Sequence, residues 1–329
     1  MTNILSMISG SFSRVLLLGT LFPVTVFALL FYWIVVPFLP EDLAFLQILG
    51  TLDTAWTTAL ISLFLFLVSG ILYNLNVPII RLYEGYTWQD SGLGSWAQRG
   101  ELRRLDWATA NRRKLWRLTT RLSRANPDDP AIDDIEGLRT ELAQRVVNEY
   151  PGRALVLPTR LGNAIRSFEE YARTVYGISS ITIWPRLVGV MSKEYAATLD
   201  ESKAAFDFMI NASFLSWIFS ASTLVAGLMA PARIDPWPWA AQIALSLVAG
   251  YLFYRGSIGA ALAWGAQVKG AFDLFRWDLL EKLGYARASI TPEQEKALWM
   301  EISQRMIFRE IPGTTLQPYS RAKPQPFEG

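Results

Sequence analysis

Cysteine and histidine are both absent from the 329 residues. Without them a single chain has no disulfide, no zinc site of the Cys/His type, no cysteine nucleophile and no Ser-His-Asp triad. Missing cysteine fits every redox compartment and identifies none. Charge is scarce too. Asp, Glu, Lys and Arg make up 18% of the chain and hydrophobic residues 51%, whereas soluble domains carry ~25% charge. That shortfall suggests that lipid solvates part of the molecule. With a formal net charge of only +2, a basic surface for an acidic partner has to be local. No Gly-x-Ser-x-Gly elbow or phosphate loop is present, and "GLGSW" at 92–96 is too short for a dinucleotide fingerprint. The expectation is a protein that is not an enzyme and holds no cofactor or metal.

Four stretches are free of charge and long enough to cross a bilayer: Val15–Pro40, Thr54–Ile80, Phe208–Ala232 and Pro236–Tyr254. At ~1.5 Å per residue, roughly 20 residues cover the ~30 Å hydrocarbon core. The first run is too long for a cleavable signal peptide, and no small-x-small site follows it. The connection after it holds Glu41, Asp42 and Asp53 without a cation, and the connection between the last two spans holds Arg233 against Asp235. Arg14, Arg81, Lys203 and Arg255 mark the opposite ends. Cations favour the cytoplasmic side, so both termini and the Arg81–Lys203 segment are expected there. Trp33, Trp56, Trp237 and Trp239 then fall near the outer headgroups. The predicted class is a mainly α integral membrane protein with two plus two spans and a helical cytoplasmic domain. Its parts are residues 1–80 (two spans), 81–205 (cytoplasmic domain), 206–283 (two spans with a helical extension) and a tail at 284–329. The tail ends in the polar, Pro-rich "GTTLQPYSRAKPQPFEG", a composition that buries little apolar surface.

Arg99–Arg124 carries nine Lys or Arg against Glu101 and Asp106. Leu102, Leu105, Ala108, Leu115, Leu118 and Leu122 recur at helical spacing as an apolar face. Arg113, Arg117, Arg121 and Arg124 form a stripe of their own, with Trp88, Trp96, Trp107 and Trp116 interleaved. Cations beside stacking aromatics grip nucleotides or single-stranded nucleic acid. The same stripe also suits plain solvation or anionic headgroups, and the sequence leaves both open. The candidate ligand residues are Arg103, Trp107, Arg113, Trp116, Arg117, Arg121 and Arg160. The acidic run in "ANPDDPAIDDIEGLR" (Asp128, Asp129, Asp133, Asp134, Glu136) lacks a calcium-loop pattern and reads as a helix start. Further on, "ALVL" reads as extended, and Thr159 caps a helix that runs to Tyr176 and closes at Gly177. On that helix Arg166 is expected to pair with Glu169 or Glu170, while Arg160 and Asn163 are free to serve either structure or a ligand.

Pro-Thr-Arg-Leu-Gly-Asn at 158–163, Glu169-x-Tyr171, Tyr176-Gly177 and Trp184-Pro-Arg-Leu187 resemble a signature of bacterial multi-pass membrane proteins of uncharacterised function. The four-span layout around it resembles the membrane effector of Hailong-type anti-phage systems. That resemblance implies an ion-channel domain with a cytoplasmic crown, held closed by a DNA oligomer that a partner nucleotidyltransferase makes. It covers about forty residues plus the layout and carries no motif for site residues.

"GYLFYRGSIGAALAWGAQVKGAFDLF", Gly250–Phe275, contains five glycines and two cations, Arg255 and Lys269. Each glycine costs roughly 1 kcal/mol against alanine in a helix interior. One long helix past Phe275 places Arg255, Gly259, Leu262, Ala266, Lys269, Asp273 and Arg276 on one face. Small residues four apart let such helices pack closely, here against copies of the same chain. Rings of Arg255 and Lys269 favour anions. The alternatives are that Arg255 simply ends a span and that Ile258–Trp264 packs on the middle block. On the second span, Leu60, Leu63, Leu67, Gly70, Asn74 and Val77 share a face, with Asn76 and Pro78 beside it. Leu63 and Leu67 suit a dewetting gate, and Asn74 and Asn76 either face water or cap a helix that Pro78 disturbs. The candidate pore residues are therefore Leu63, Leu67, Asn74, Asn76, Arg255 and Lys269. The expected protein is a homo-oligomeric ligand-gated channel or pore-forming effector of a bacterial inner membrane. Its partners are membrane lipid and a nucleotide or DNA oligomer with the enzyme that makes it. The alternatives are a scaffold or receptor without a pore and a lipid-modifying membrane enzyme.

Overall fold

The computed structural model describes residues 17–36, 53–126, 129–229, 231, 235–285 and 291–308. Arg14, Glu41, Asp42, Asp128, Arg233 and the Pro-rich tail lie outside the described residues. A five-residue π turn, Leu17–Leu21, leads into α1 (Phe22–Ile34). Next come α2 (Thr54–Glu84), α3 (Gly92–Ala125), α4 (Ala131–Glu149), α5 (Arg160–Glu169), α6 (Tyr171–Tyr176) and α7 (Ser180–Val188). The chain continues with α8 (Lys193–Met229), α9 (Pro236–Lys282) and α10 (Pro292–Phe308). No strand occurs among the described residues. Four helical stretches are long and apolar enough to cross a membrane: Leu17–Ile34, α2, α8 and α9, with best-window mean hydropathy of 2.0, 2.1, 1.5 and 1.3.

The helices outrun the expected spans. Instead of starting at Phe208, α8 starts at Lys193, and α9 continues past Tyr254 to Lys282, the one long helix expected through Phe275. Charges at 193–207 and 255–282 interrupt the apolar composition without interrupting the helix, because helical hydrogen bonds are blind to side-chain polarity. α2 likewise passes through Pro78 to Glu84, so Asn74 and Asn76 are not caps. Pro78 has no N–H to give the Asn74 carbonyl.

The chain divides into two compact units: residues 1–83 with 200–261, and residues 84–199 with 262–329. In the first, hydroxyls join helices to backbone. Ser213 Oγ donates to the Gly250 carbonyl (2.8 Å), accepts from Trp217 Nε1 (3.2 Å) and lies 3.0 Å from Tyr83 Oη. Trp239 Nε1 donates to the Thr223 carbonyl (3.0 Å), and its ring occupies the space over Gly227. Trp239 thus packs inward, whereas Trp33, Trp56 and Trp237 are exposed. Phe27, Phe31, Ile34 and Val35 pack on Phe219 and Ala226. On α2 the buried positions Ser69, Leu72, Asn76 and Ile79 follow helical spacing, and Leu60, Leu63, Leu67 and Asn74 point away from them, exposed. The two asparagines therefore lie on different faces.

The second unit is centred on residues 158–163. Thr159 Oγ1 caps α5 by accepting from Gly162 N (2.9 Å) and donates to the Glu84 carbonyl (3.0 Å). Pro158 packs against Gly85, whose φ of +94° suits only glycine without strain. A Cβ on Gly162 would overlap the Glu84 carbonyl. Asn163 is fully buried and closes a two-bond clip on Leu157, accepting from its N (2.7 Å) and donating to its O (3.1 Å). Tied to Leu157 in this way, it serves the fold of this loop. The expected 159–176 helix breaks at Glu170 into α5 and α6, and Gly177, at φ +75°, closes the second. "ALVL" begins within a 3-10 turn, Arg153–Leu155, with Val156 extended after it. Leu161, Ile178, Ile183, Leu187, Phe272 and Trp299 are fully buried within this unit.

Candidate functional site

Ser91 caps α3 by accepting from Gly94 N (3.0 Å), and the helix then runs unbroken through the cationic segment. Its inner face packs on α4 and the chain after it: Leu105, Tyr150 and Val156 form a cluster with Leu102 and Val146. Leu118, expected on this apolar face, is exposed, and Thr119 takes the buried place beside it. Glu101 is buried here and accepts from Tyr150 Oη (3.0 Å). Burial, then the neighbouring Glu101 carboxylate, raise the Tyr150 phenol above its usual range.

Two concavities open along α3. The first, about 340 Å³, is lined by Arg103, Arg104, Trp107, Ala108, Arg145, Glu149, Tyr150 and Arg160. The second, about 390 Å³, is lined by Arg112, Arg113, Trp116, Arg139, Thr140, Ala143 and Gln144. Of the expected ligand residues, Arg103, Trp107 and Arg160 therefore meet in one place, and Arg113 and Trp116 meet in another. Arg117 and Arg121 are exposed further along α3 and line neither. Arg160 is committed to Glu149 at 2.9 Å, Arg104 to Glu101, Arg145 to Glu141 (3.3 Å) and Arg139 to Glu136 (3.6 Å). Arg103, Arg112, Arg113, Arg117 and Arg121 have no carboxylate within ion-pair distance among the described residues. They are the cations an anionic ligand meets at least cost, because no existing partner has to be displaced. Sequence reasoning missed Arg104, Arg112, Arg139, Arg145 and Tyr150. The α4 members were invisible because nothing local says which face of α4 meets α3.

Two cations of α9, Lys269 and Arg276, have partners of their own. Lys269 Nζ donates to Asn148 Oδ1 (3.1 Å) and sits 5.6 Å from the Tyr171 ring centroid. Arg276 pairs with Glu295 (2.7 Å) and stacks 4.3 Å over Tyr176. Tyr171 and Tyr176 both donate to Asp273 Oδ1, at 2.9 and 2.7 Å, and burial together with Asp273 raises both phenols. The glycines expected to face copies of the chain face this chain instead. Gly265 makes room for Phe168, Gly270 for the Tyr195 hydroxyl, Gly256 for Met209 and Gly250 for Trp217; Gly259 has nothing within 4 Å. Trp264 packs edge-on against Phe168, with ring centroids 5.1 Å apart, which accounts for the apolar run beyond Arg255. Arg255 itself is exposed. As expected from spacing, Arg166 lies near Glu169 (3.9 Å) and Glu170 (3.3 Å). Asp129 Oδ1 accepts from Ala131 N (3.0 Å) at the start of α4, and no acidic group placed to hold a metal occurs among the described residues.

No protein-family model matches the chain, and neither curated proteins nor solved structures returned a match.

Proposed function

We propose that the protein is a four-span, homo-oligomeric channel or pore-forming effector of a bacterial inner membrane, gated by an anionic ligand on α3. Both termini and the second unit face the cytoplasm, and the ligand is a nucleotide or an oligonucleotide of the kind used in anti-phage signalling. The observation that carries the reading is the outward face of α2. Leu60, Leu63, Leu67 and Asn74 recur along it, all exposed, with an amide that donates to the Gly70 carbonyl and a proline-freed carbonyl toward the Arg81 end. Polar groups at membrane depth face a bundle interior or water, so this face suits a path between copies, with the leucines as the dewetting gate. Further support comes from α8 and α9, each one helix whose residues belong to both units. At ~1.5 Å per residue they span about 55 and 70 Å against a ~30 Å core.

Reconstituted in liposomes, the purified protein should carry ionic current that responds to an acidic oligonucleotide, and Leu63→Asn with Leu67→Asn should raise basal conductance. Silent liposomes under every ligand condition, with the protein inserted, would overturn the channel. Reporters test the orientation: cytoplasmic after Pro151 and periplasmic at Leu46, with the reverse pattern excluding it.

A further inference from the structure

Asp207 and Asn211 lie one turn apart on α8 and are 1% and 0% exposed. Lys203 Nζ donates to Asp207 Oδ2 at 2.6 Å. Asn211 Nδ2 donates to the Gly19 carbonyl at 2.7 Å, which fixes the amide orientation, because the flipped amide would set oxygen against oxygen. The other two oxygens, Asp207 Oδ1 and Asn211 Oδ1, are buried without a hydrogen-bond partner among the described residues. Gly19 links the pair. A Cβ built on it would stand 3.1 Å from Asp207 Cβ, so the π turn Leu17–Leu21 lies against both side chains. π turns break the regular carbonyl ladder and recur at functional sites.

We infer that the Asp207–Asn211 turn binds a small monovalent cation. One turn apart on α8 stand a carboxylate oxygen and an amide oxygen, both lacking a donor among the described residues, beside the backbone of an irregular turn. Hard oxygens of this kind suit sodium-like ions, and broken helices bring such carbonyls to ion sites in membranes. Lys203 already balances the Asp207 charge, so the site lacks the anionic charge that compensates a divalent ion for losing its water. The absence of thiol and imidazole disfavours soft metals. Asp207 Oδ1 and Asn211 Oδ1 are the oxygens available to the cation, and Lys203 keeps the remaining carboxylate oxygen. This site is independent of the channel reading.

The test uses the full-length protein in detergent micelles at fixed pH and ionic strength, with sodium chloride exchanged for choline chloride. Tryptophan fluorescence reports the melting temperature, and radioactive sodium reports binding. Sodium is expected to raise the melting temperature saturably while choline does not. Asp207→Asn and Asn211→Leu should raise the half-saturating sodium concentration on the order of tenfold, since stabilisation follows ligand concentration over Kd. Asp207→Asn keeps the side-chain size and can still accept from Lys203, so it serves if the leucine variant fails to fold. The exposed control Asp200→Asn should change nothing. Equal melting in sodium and choline, the result a buried water or a proton would give, overturns the site. So does a sodium response that survives both Asp207→Asn and Asn211→Leu.

Discussion

The two units solve the same packing problem in opposite directions. In the first, large apolar side chains such as Leu63, Phe64 and Ile71 point outward, while Ser69, Ser213, Thr223 and Ser257 are buried. In the second, the interior is Phe272, Trp299 and Leu161, and the outside carries ion pairs such as Arg160–Glu149 and Arg145–Glu141. Apolar exteriors are tolerable in lipid, where burial of apolar surface gives little driving force between helices and small residues and hydroxyls take over. The ion-paired exterior suits water, where the hydrophobic effect assembles the core. The contrast fits a first unit surrounded by lipid and a second surrounded by water.

The largest effect expected from this contrast is at glycine. Gly162→Ala drives a Cβ into the Glu84 backbone carbonyl and should destabilise the second unit by about 3 kcal/mol, the upper end for overpacking. In the first unit, Gly256→Ala would put a Cβ 3.2 Å from the Met209 sulfur, a flexible side chain that moves aside, for less than about 1 kcal/mol. Thermal unfolding of the two variants in detergent reads the difference. Equal losses would remove it.

Hydrogen bonds give the next contrast. Asn163→Leu strands both polar groups of Leu157 and should cost about 2 kcal/mol. Ser220→Ala removes a single bond, to the Ile243 carbonyl, for roughly 0.6 kcal/mol, the mean for such bonds within membranes.

A smaller, pH-dependent effect separates the units further. Burial and then Glu101 raise the Tyr150 phenol in the folded state. The folded state thus holds its proton more tightly, so this stability is complete below the unfolded value of about 10 and is lost as pH rises beyond it. Tyr150→Phe should flatten the alkaline limb of unfolding measured against pH. An unchanged limb would assign it to other tyrosines, such as Tyr171 and Tyr176. The smallest effect is expected for Arg113→Ala with Arg117→Ala, which should leave unfolding within about 0.5 kcal/mol, as exposed sites do. Binding of an acidic oligonucleotide should nevertheless weaken in that variant, and more so at low salt.

The sequence by itself determined the four apolar runs, the helical cationic stripe of α3, the Thr159 cap and the Gly177 stop, because each is written in spacings of one to four residues. Arg166 with Glu169 and Glu170 belongs to the same class. Only the tertiary structure decided what each small or charged residue faces. Gly265 answers to Phe168 and Lys269 to Asn148, partners about a hundred residues away that no local period encodes. Arg160 looked as available as Arg103 until α4 brought Glu149 to it. The same holds for Asp207 and Asn211: a polar pair at the edge of an apolar run is ordinary in sequence. It becomes a site only when a turn from the other end of the chain occupies one amide group and leaves two oxygens buried without a donor.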